Sequence, residues 1–306
     1  MHGGAAGAEF VLPEHPDVEV EVEVVEGGPA LRARPVGTAA PGPFDAFLDG
    51  IQRQRIAGFC GPVPIVCAYA AAVIRTRRAG AMATLAGAAG AYREERERVF
   101  VPFRYVDTAL FEAAGIGREQ LCDTNPVDPP LPLFPPALWA AAANAINHWR
   151  EDLERSLAVR WCRAGEAGWL VVDGGLGIAP EAVACGRAIG IVKHHRTRFF
   201  DGEDARVLLG LRAGERTSVF RPLSGRRGGD VYSWFLRTRS PVGHDVFWGL
   251  VRIEAAASEE TLSLVDTISR WLLAEAAPLS LPDARWDRMI YPIRDCEEYL
   301  RARAPW

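Results

Sequence analysis

Six prolines fall among the fourteen residues from Asp123 to Pro136, and proline both removes a backbone donor and keeps its predecessor out of the helical region. No helix crosses this stretch, so it divides the chain. After it, apolar and charged residues recur at helical spacing from Ala137 to about Arg163, which predicts one long helix. Trp169 to Asp173 then reads as a buried strand and Ala188 to Lys193 as another. Val231 to Arg237 and Phe247 to Glu254, separated by the turn-rich Ser240-Pro241-Val242-Gly243-His244-Asp245, predict an antiparallel pair. Glu259 to Ala276 has an amphipathic helical pattern. Strands interleaved with helices give an expected α/β fold.

Ahead of the proline-rich break the signals are shorter. Residues 18–24 alternate valine and glutamate strictly, which predicts one half-buried edge strand with a charged outer face. The Pro- and Gly-rich stretch from Gly27 to Pro43 reads as a linker, so residues 1–43 are expected to form an N-terminal strand and linker, and 44–306 the main domain. Phe44 to Gly50 predicts a short strand ending in Asp49, and Ile65 to Ile74 a buried one. The type of Ala79 to Ala91 is left open by its alanine and glycine content. The densely charged Tyr92 to Arg98 reads as a solvated helical stretch.

Of the 35 Lys and Arg residues only Lys193 is a lysine. Its survival suggests a position where a compact ammonium is not replaceable by a planar guanidinium; a chance survivor on the surface is the alternative. The net charge of −4 gives no global attraction to a polyanion, so nucleic acid would have to be met by local arginine clusters at 53–55, 75–78, 93–98 and 221–227. Six cysteines without a CxxC pair predict reduced thiols, a cytoplasmic protein and no zinc site. Met1 to Ala6 lacks the basic start and apolar run of a signal peptide, and Gly58 to Ile74 falls short of a membrane span. Gly225-Arg226-Arg227-Gly228-Gly229 reads as a flexible basic loop, and there is no GxxxxGK[ST] phosphate loop.

Phe47-Leu48-Asp49-Gly50 and Leu170-Val171-Val172-Asp173-Gly174 share one pattern, an apolar run followed by Asp-Gly. A carboxylate at the end of a buried strand is held rigidly, and the glycine lets backbone or ligand approach. Two such oxygens suit a hard divalent cation, Mg²⁺ or Mn²⁺; each aspartate alone reads first as the cap of a turn, and it is the two together that point to an ion. Glu154, on the long helix, is the third acidic candidate. Its alternative is a surface ion pair with Arg150, four residues earlier.

These segments, with Ile189-Gly190-Ile191-Val192-Lys193 and the late Tyr291-Pro292, resemble the NurA nucleases in order from about residue 44 to the end. The resemblance implies an RNase H-like mixed β-sheet flanked by helices, with insertions, and a metal-dependent DNA nuclease using Mn²⁺ or Mg²⁺. It also implies a homodimer working with a HerA-type hexameric ATPase, in DNA repair or in defence against foreign DNA. Asp49, Glu154 and Asp173 carry over as metal ligands and Tyr291 as the active-site tyrosine, while Lys193 is placed to neutralise a phosphate. The family places a histidine eight residues after that tyrosine, where this chain has Tyr299; Glu297 is the expected substitute oxygen ligand. The departure supports a second expectation, a catalytically impaired RNase H-like nucleic-acid-binding or assembly module.

Overall fold

The computed structural model describes residues 18–78, 81–87, 90–125, 129–177, 179–223, 230–276 and 289–305. The valine–glutamate segment forms two short strands, β1 (Val18–Glu19) and β2 (Val22–Val24), in place of the one continuous strand expected. The stretch expected as a linker holds β3 (Ala33–Pro35) and buries Leu31 and Val36. Next come β4 (Phe44–Cys60) and β5 (Val63–Arg78), paired antiparallel from Ala46 with Thr76 to Cys60 with Val63. The expected end of β4 at Asp49 is therefore corrected. Gly50 stays in the ladder because β5 pairs along the whole length of β4, and a glycine inside a strand marks a close approach as readily as a turn.

Strands β6 (Ala81–Thr84), β7 (Ala86–Gly87) and β8 (Gly90–Ala91) fill the alanine-rich region. The expected helix at Tyr92 to Arg98 is instead part of β9 (Arg93–Val101), paired with β5 from Val73 with Arg93 to Val66 with Phe100. Charge-rich sequence suits a solvated helix or an outward-facing strand, and here the partner edge of β5 decides. Tyr69, across the ladder, donates to Glu95 at 3.0 Å.

Short α1 (Ala109–Ala113) and β10 (Leu121–Asp123) lead to α2 (Pro135–Ala164). This helix starts two residues before the expected Ala137: Pro135 and Pro136 sit in its first turn, where no amide donor is needed. It ends at Gly165 with φ +65°, a left-handed cap that glycine adopts without strain. Beyond it come β11 (Trp169–Asp173), α3 (Pro180–Ala184), β12 (Ala188–Val192), β13 (Thr197–Arg198) and α4 (Gly202–Leu209). The chain continues through β14 (Glu215–Thr217), β15 (Phe220–Pro222), β16 (Val231–Arg237), β17 (Leu250–Ala256), α5 (Glu259–Glu275) and α6 (Tyr291–Arg301). The expected antiparallel pair is β16 with β17, its second strand beginning at Leu250 rather than Phe247.

One large mixed sheet runs in the order β10-β9-β5-β4-β11-β12-β17-β16-β14-β3. Strands β4, β11 and β12 are mutually parallel at its centre, while β5 and β17 flank them antiparallel. Residues 18–43 are joined to the rest in part through this sheet, β3 pairing β14 and β2 pairing β15. The turn between β2 and β3 is fixed by Glu26, which accepts from both terminal nitrogens of buried Arg216 at 2.7 and 2.9 Å.

Alternate side chains on the central strands divide the core between two faces. Phe47, Val171, Ile189, Ile191 and Ile253 pack with Ile268 and Leu272 of α5 and Ile293 and Leu300 of α6. Ala46, Leu48, Leu170, Val172 and Ala188 pack on the other face with Leu153, Leu157 and Trp161 of α2. Among the described residues no helix is long and apolar enough to cross a membrane.

Candidate active site

The last hydrogen-bonded pair between parallel β4 and β11 is Leu48 with Val172. One step further, Asp49 and Asp173 stand level on neighbouring strands. Because side chains alternate, residues level in a parallel pair share a face, here the face covered by α6. Asp173 is itself level with Ile191 of β12, and two residues on, Lys193 reaches back with Nζ 2.8 Å from Asp173 Oδ1. The stretch between the aspartates, 124 positions apart in sequence (173 minus 49), is spanned by the β4–β5–β9 meander and α2, which returns the chain to run parallel beside β4.

Asp49 is 7% exposed, and its Oδ1 accepts from the Gly50 amide at 2.7 Å. Burial raises its carboxyl well above the usual range, and the nearby charges of Asp173 and Glu154 push the same way, against the opposing pull of Lys193 and that amide. Cys296 of α6 closes the floor, donating to the Phe47 carbonyl at 3.2 Å. Burial raises this thiol as well, and the charge of Asp49 adds to the effect.

Glu154 arrives from the opposite face of the sheet on α2. A side chain on Gly50 would collide with its carboxylate and come within 3.0 Å of the Ala71 carbonyl, so this glycine is the gap through which Glu154 nears the strand. Burial pushes Glu154 up to about 7, with Asp173 and Glu151 adding to the rise and Arg150 opposing it. The ion pair of Glu154 with Arg150, open as an alternative in the sequence, is present; Arg150 also reaches Gln52 and Asn147 at 3.3 and 3.2 Å.

A cavity of about 510 Å³ opens over the aspartates, lined by Asp49, Asp173, Lys193, His194, Arg294 and Glu297. Met289, Ile290 and Ile293 form its apolar side. Tyr291 is not among its lining residues, although its neighbour Ile290 is. Glu297 faces the cavity but is held by Arg294 at 2.7 Å and Arg301 at 2.5 Å. Tyr299, two residues on, points to another side of α6: Arg93 donates to its hydroxyl at 3.0 Å, and the Arg75 guanidinium lies 4.5 Å from its ring centre. Hydrogen bonding with Thr84 and then with Arg93 holds its phenol below the usual range, against burial.

Three of the expected DNA-tracking arginines are paired with carboxylates. Arg75 is buried against Asp295 at 2.6 Å, and Arg77 forms a bidentate pair with Glu275. Arg221 pairs with Glu23 and Asp230, while Arg226 and Arg227, with the rest of that basic loop, lie outside the described residues. His195 turns from the site to the Leu250 carbonyl at 3.0 Å and stacks on Phe247. Arg294 escapes a reading of the sequence because its signal, one helical turn from Glu297 on α6, requires knowing which face of that helix meets the aspartates.

The donors around Asp49 and Asp173 are carboxylate oxygens, the chemistry of a hard divalent cation, and the raised carboxyl of Asp49 would be relieved by one. Asp49 and Asp173 fit such an ion as a pair. Among the described residues no three His, Cys, Asp or Glu side chains are grouped so as to hold one; Glu154 is paired with Arg150, and Glu297 with its two arginines. Compared with known proteins, the chain matches no family model and no curated sequence.

Proposed function

We propose that the protein is a metal-dependent nuclease that hydrolyses phosphodiester bonds of DNA, built on an RNase H-like core. One observation carries the reading: two carboxylates from segments far apart in sequence stand level on adjacent parallel strands, beside the chain's only lysine, on the floor of an open cavity. The central order β9-β5-β4-β11-β12, an antiparallel meander followed through α2 by two strands parallel to β4, supports the RNase H-like assignment.

In this reading Asp49 and Asp173 would hold Mn²⁺ or Mg²⁺, Glu154 and Glu297 would join them as oxygen donors only on release from the arginines that pair with them here, and Tyr291 is the tyrosine at the start of α6. A bound divalent cation supplies a nucleophilic water near neutral pH and polarises the phosphoryl group. The chain does the rest. Lys193 and Arg294 place positive charge where a phosphate enters, and Met289, Ile290 and Ile293 exclude water from one side. Lys193 also balances the charge of Asp173 before a phosphate arrives. The test is incubation of the purified protein with labelled single- and double-stranded DNA, with and without Mn²⁺. Cleavage that needs the metal supports the reading, and none under any condition overturns it.

Lys193→Ala is expected to slow cleavage at least about tenfold while changing DNA affinity much less, because an ammonium at the phosphate matters most as charge builds in the transition state. Lys193→Arg should recover only part, since a guanidinium is wider than the point charge it replaces. Full activity in the arginine variant would show that the lone lysine is a compositional accident.

The proposed partners are a second copy of this chain and a HerA-type hexameric ATPase. Ile56 and Phe59, 44% and 59% exposed at the tip of the β4–β5 hairpin, add apolar surface suited to assembly. Light scattering at micromolar concentration is expected to give the mass of a dimer; a monomer there argues against it. The second reading, a non-catalytic RNase H-like nucleic-acid-binding or assembly module, is favoured by the two ion pairs in which Lys193 and Arg150 already neutralise Asp173 and Glu154.

A further inference from the structure

Beyond Asp173 the chain runs Gly174-Gly175-Leu176-Gly177, three glycines in four residues directly after a carboxylate that the proposed chemistry needs in one place. Such a sequence is floppy by itself. The loop is nevertheless tied down from two sides. The Gly174 amide donates to the Ile191 carbonyl at 2.8 Å, and the Leu176 and Gly177 amides both donate to one carboxylate oxygen of Glu254, at 2.7 and 3.1 Å.

Glu254 lies on β17, 7% exposed, level with Gly190 of β12 and Ser233 of β16. Its second oxygen pairs with Arg252, which also donates to the Ser233 hydroxyl at 3.2 Å. Successive backbone amides converging on one point make an anion-binding nest, and the anion in this nest is the protein's own carboxylate. Gly190 makes the fit possible, since a Cβ there would stand 2.6 Å from both the Gly174 carbonyl oxygen and the Leu176 nitrogen. The loop therefore crosses β12 where there is no side chain and docks on a charge from β17.

We infer that Glu254 is a positioning residue: by anchoring the glycine loop across Gly190 it fixes the carboxylate of Asp173 against Lys193. Its consequence for catalysis rests on the nuclease reading; its consequence for Asp173 does not. Glu254→Gln keeps an oxygen acceptor of the same shape, whereas Glu254→Ala leaves two amides without their acceptor and Arg252 without its carboxylate partner. Gly190→Ala disturbs the same loop from the other side without touching Glu254.

The chain's single lysine provides the readout. In the full-length protein labelled with ¹⁵N-lysine, the Lys193 ammonium gives the one side-chain lysine resonance, and that resonance reports the contact with Asp173. In Glu254→Ala and in Gly190→Ala it is expected to shift and broaden, and in Glu254→Gln to stay at the wild-type position, with near-ultraviolet circular dichroism confirming the fold. In parallel, kcat for DNA cleavage is expected to fall about 10- to 100-fold in Glu254→Ala with KM nearly unchanged, and to recover in Glu254→Gln. If Glu254→Ala does not fold, Gly190→Ala carries the test. An unchanged lysine resonance in the folded loop variants overturns the inference. A shifted resonance with unchanged kcat in an active enzyme overturns the catalytic consequence. If the wild-type protein cleaves nothing, the nuclease reading falls and the resonance alone still decides whether Glu254 positions Asp173.

Discussion

Asp49→Asn is expected to abolish metal-dependent cleavage and, in the same protein without metal, to raise thermal stability. The two effects share one cause. Asp49 is buried beside two other acids, and its carboxyl is raised above its ordinary value in the folded state. A carboxyl with a raised folded-state value holds its proton longer in the native than in the unfolded chain. Its stabilising contribution is therefore present at low pH and is lost as pH rises from the unfolded value toward the folded one. Glu154 acts in the same direction, over a window from 4.5 to about 7.

Asparagine keeps the shape but cannot ionise, so it removes this loss along with the ligand oxygen's charge. Scanning calorimetry across pH 3 to 8 in chelator should show Asp49→Asn melting a few degrees higher than wild type near neutrality and no higher at the acid end, below the ordinary carboxyl value of 3.8. With Mn²⁺ the order is expected to reverse, since an ion bound only by the folded wild type stabilises it by mass action. Asp173→Asn should also lose cleavage. Unchanged activity in both variants removes the mechanism. A variant less stable than wild type at every pH would mean that Asp49 is a structural carboxylate rather than a strained site.

The second large effect lies away from the site. Arg237 on β16 is 0% exposed, and burial lowers its guanidinium below the usual value. Its partners are carbonyls: Leu209 at 3.0 Å and Leu211 at 3.2 Å, around the C-terminal end of α4, and Val246 at 2.9 Å and Trp248 at 2.6 Å before β17. The end of a helix exposes carbonyls that have no intrahelical donor, and a cation is favoured there. Arg237→Met keeps most of the volume and strands four acceptors, for an expected loss on the order of 4 kcal/mol. A melting temperature lower by roughly 10 °C would follow. Arg237→Lys should recover part of it, because one ammonium has fewer donors than the guanidinium fork. A loss below about 1 kcal/mol would show that these carbonyls find other donors.

Several elements are legible in the amino-acid sequence alone. The apolar run Trp169 to Val172 with its terminal aspartate, the long helix after the prolines and the β16–β17 pair are each written in a short window, where hydrophobic period and chain breakers suffice. Elsewhere the local pattern points away from the outcome. Tyr92 to Arg98 has the charges of a solvated helix and becomes a strand because β5 offers an open edge. Asp49-Gly50 has the form of a strand end and lies inside a 17-residue strand, because β5 pairs on past it, and Gly50 serves instead to admit Glu154 from the other face. Arg75 and Arg77 look like phosphate contacts and are consumed by Asp295 and Glu275.

The sequence by itself determined which segments carry a strong local period, such as the long helix and the strand before Asp173, and which acids follow apolar runs, since those signals depend on neighbours within a few turns of chain. Tertiary structure alone decided what each charge does. Whether a carboxylate meets another carboxylate, a lysine or an arginine depends on strand register and helix face, and these bring together residues as far apart as Asp49 and Glu297. Glu254 shows the difference: in sequence it is one acid in a strand, and in the fold it holds the loop behind Asp173.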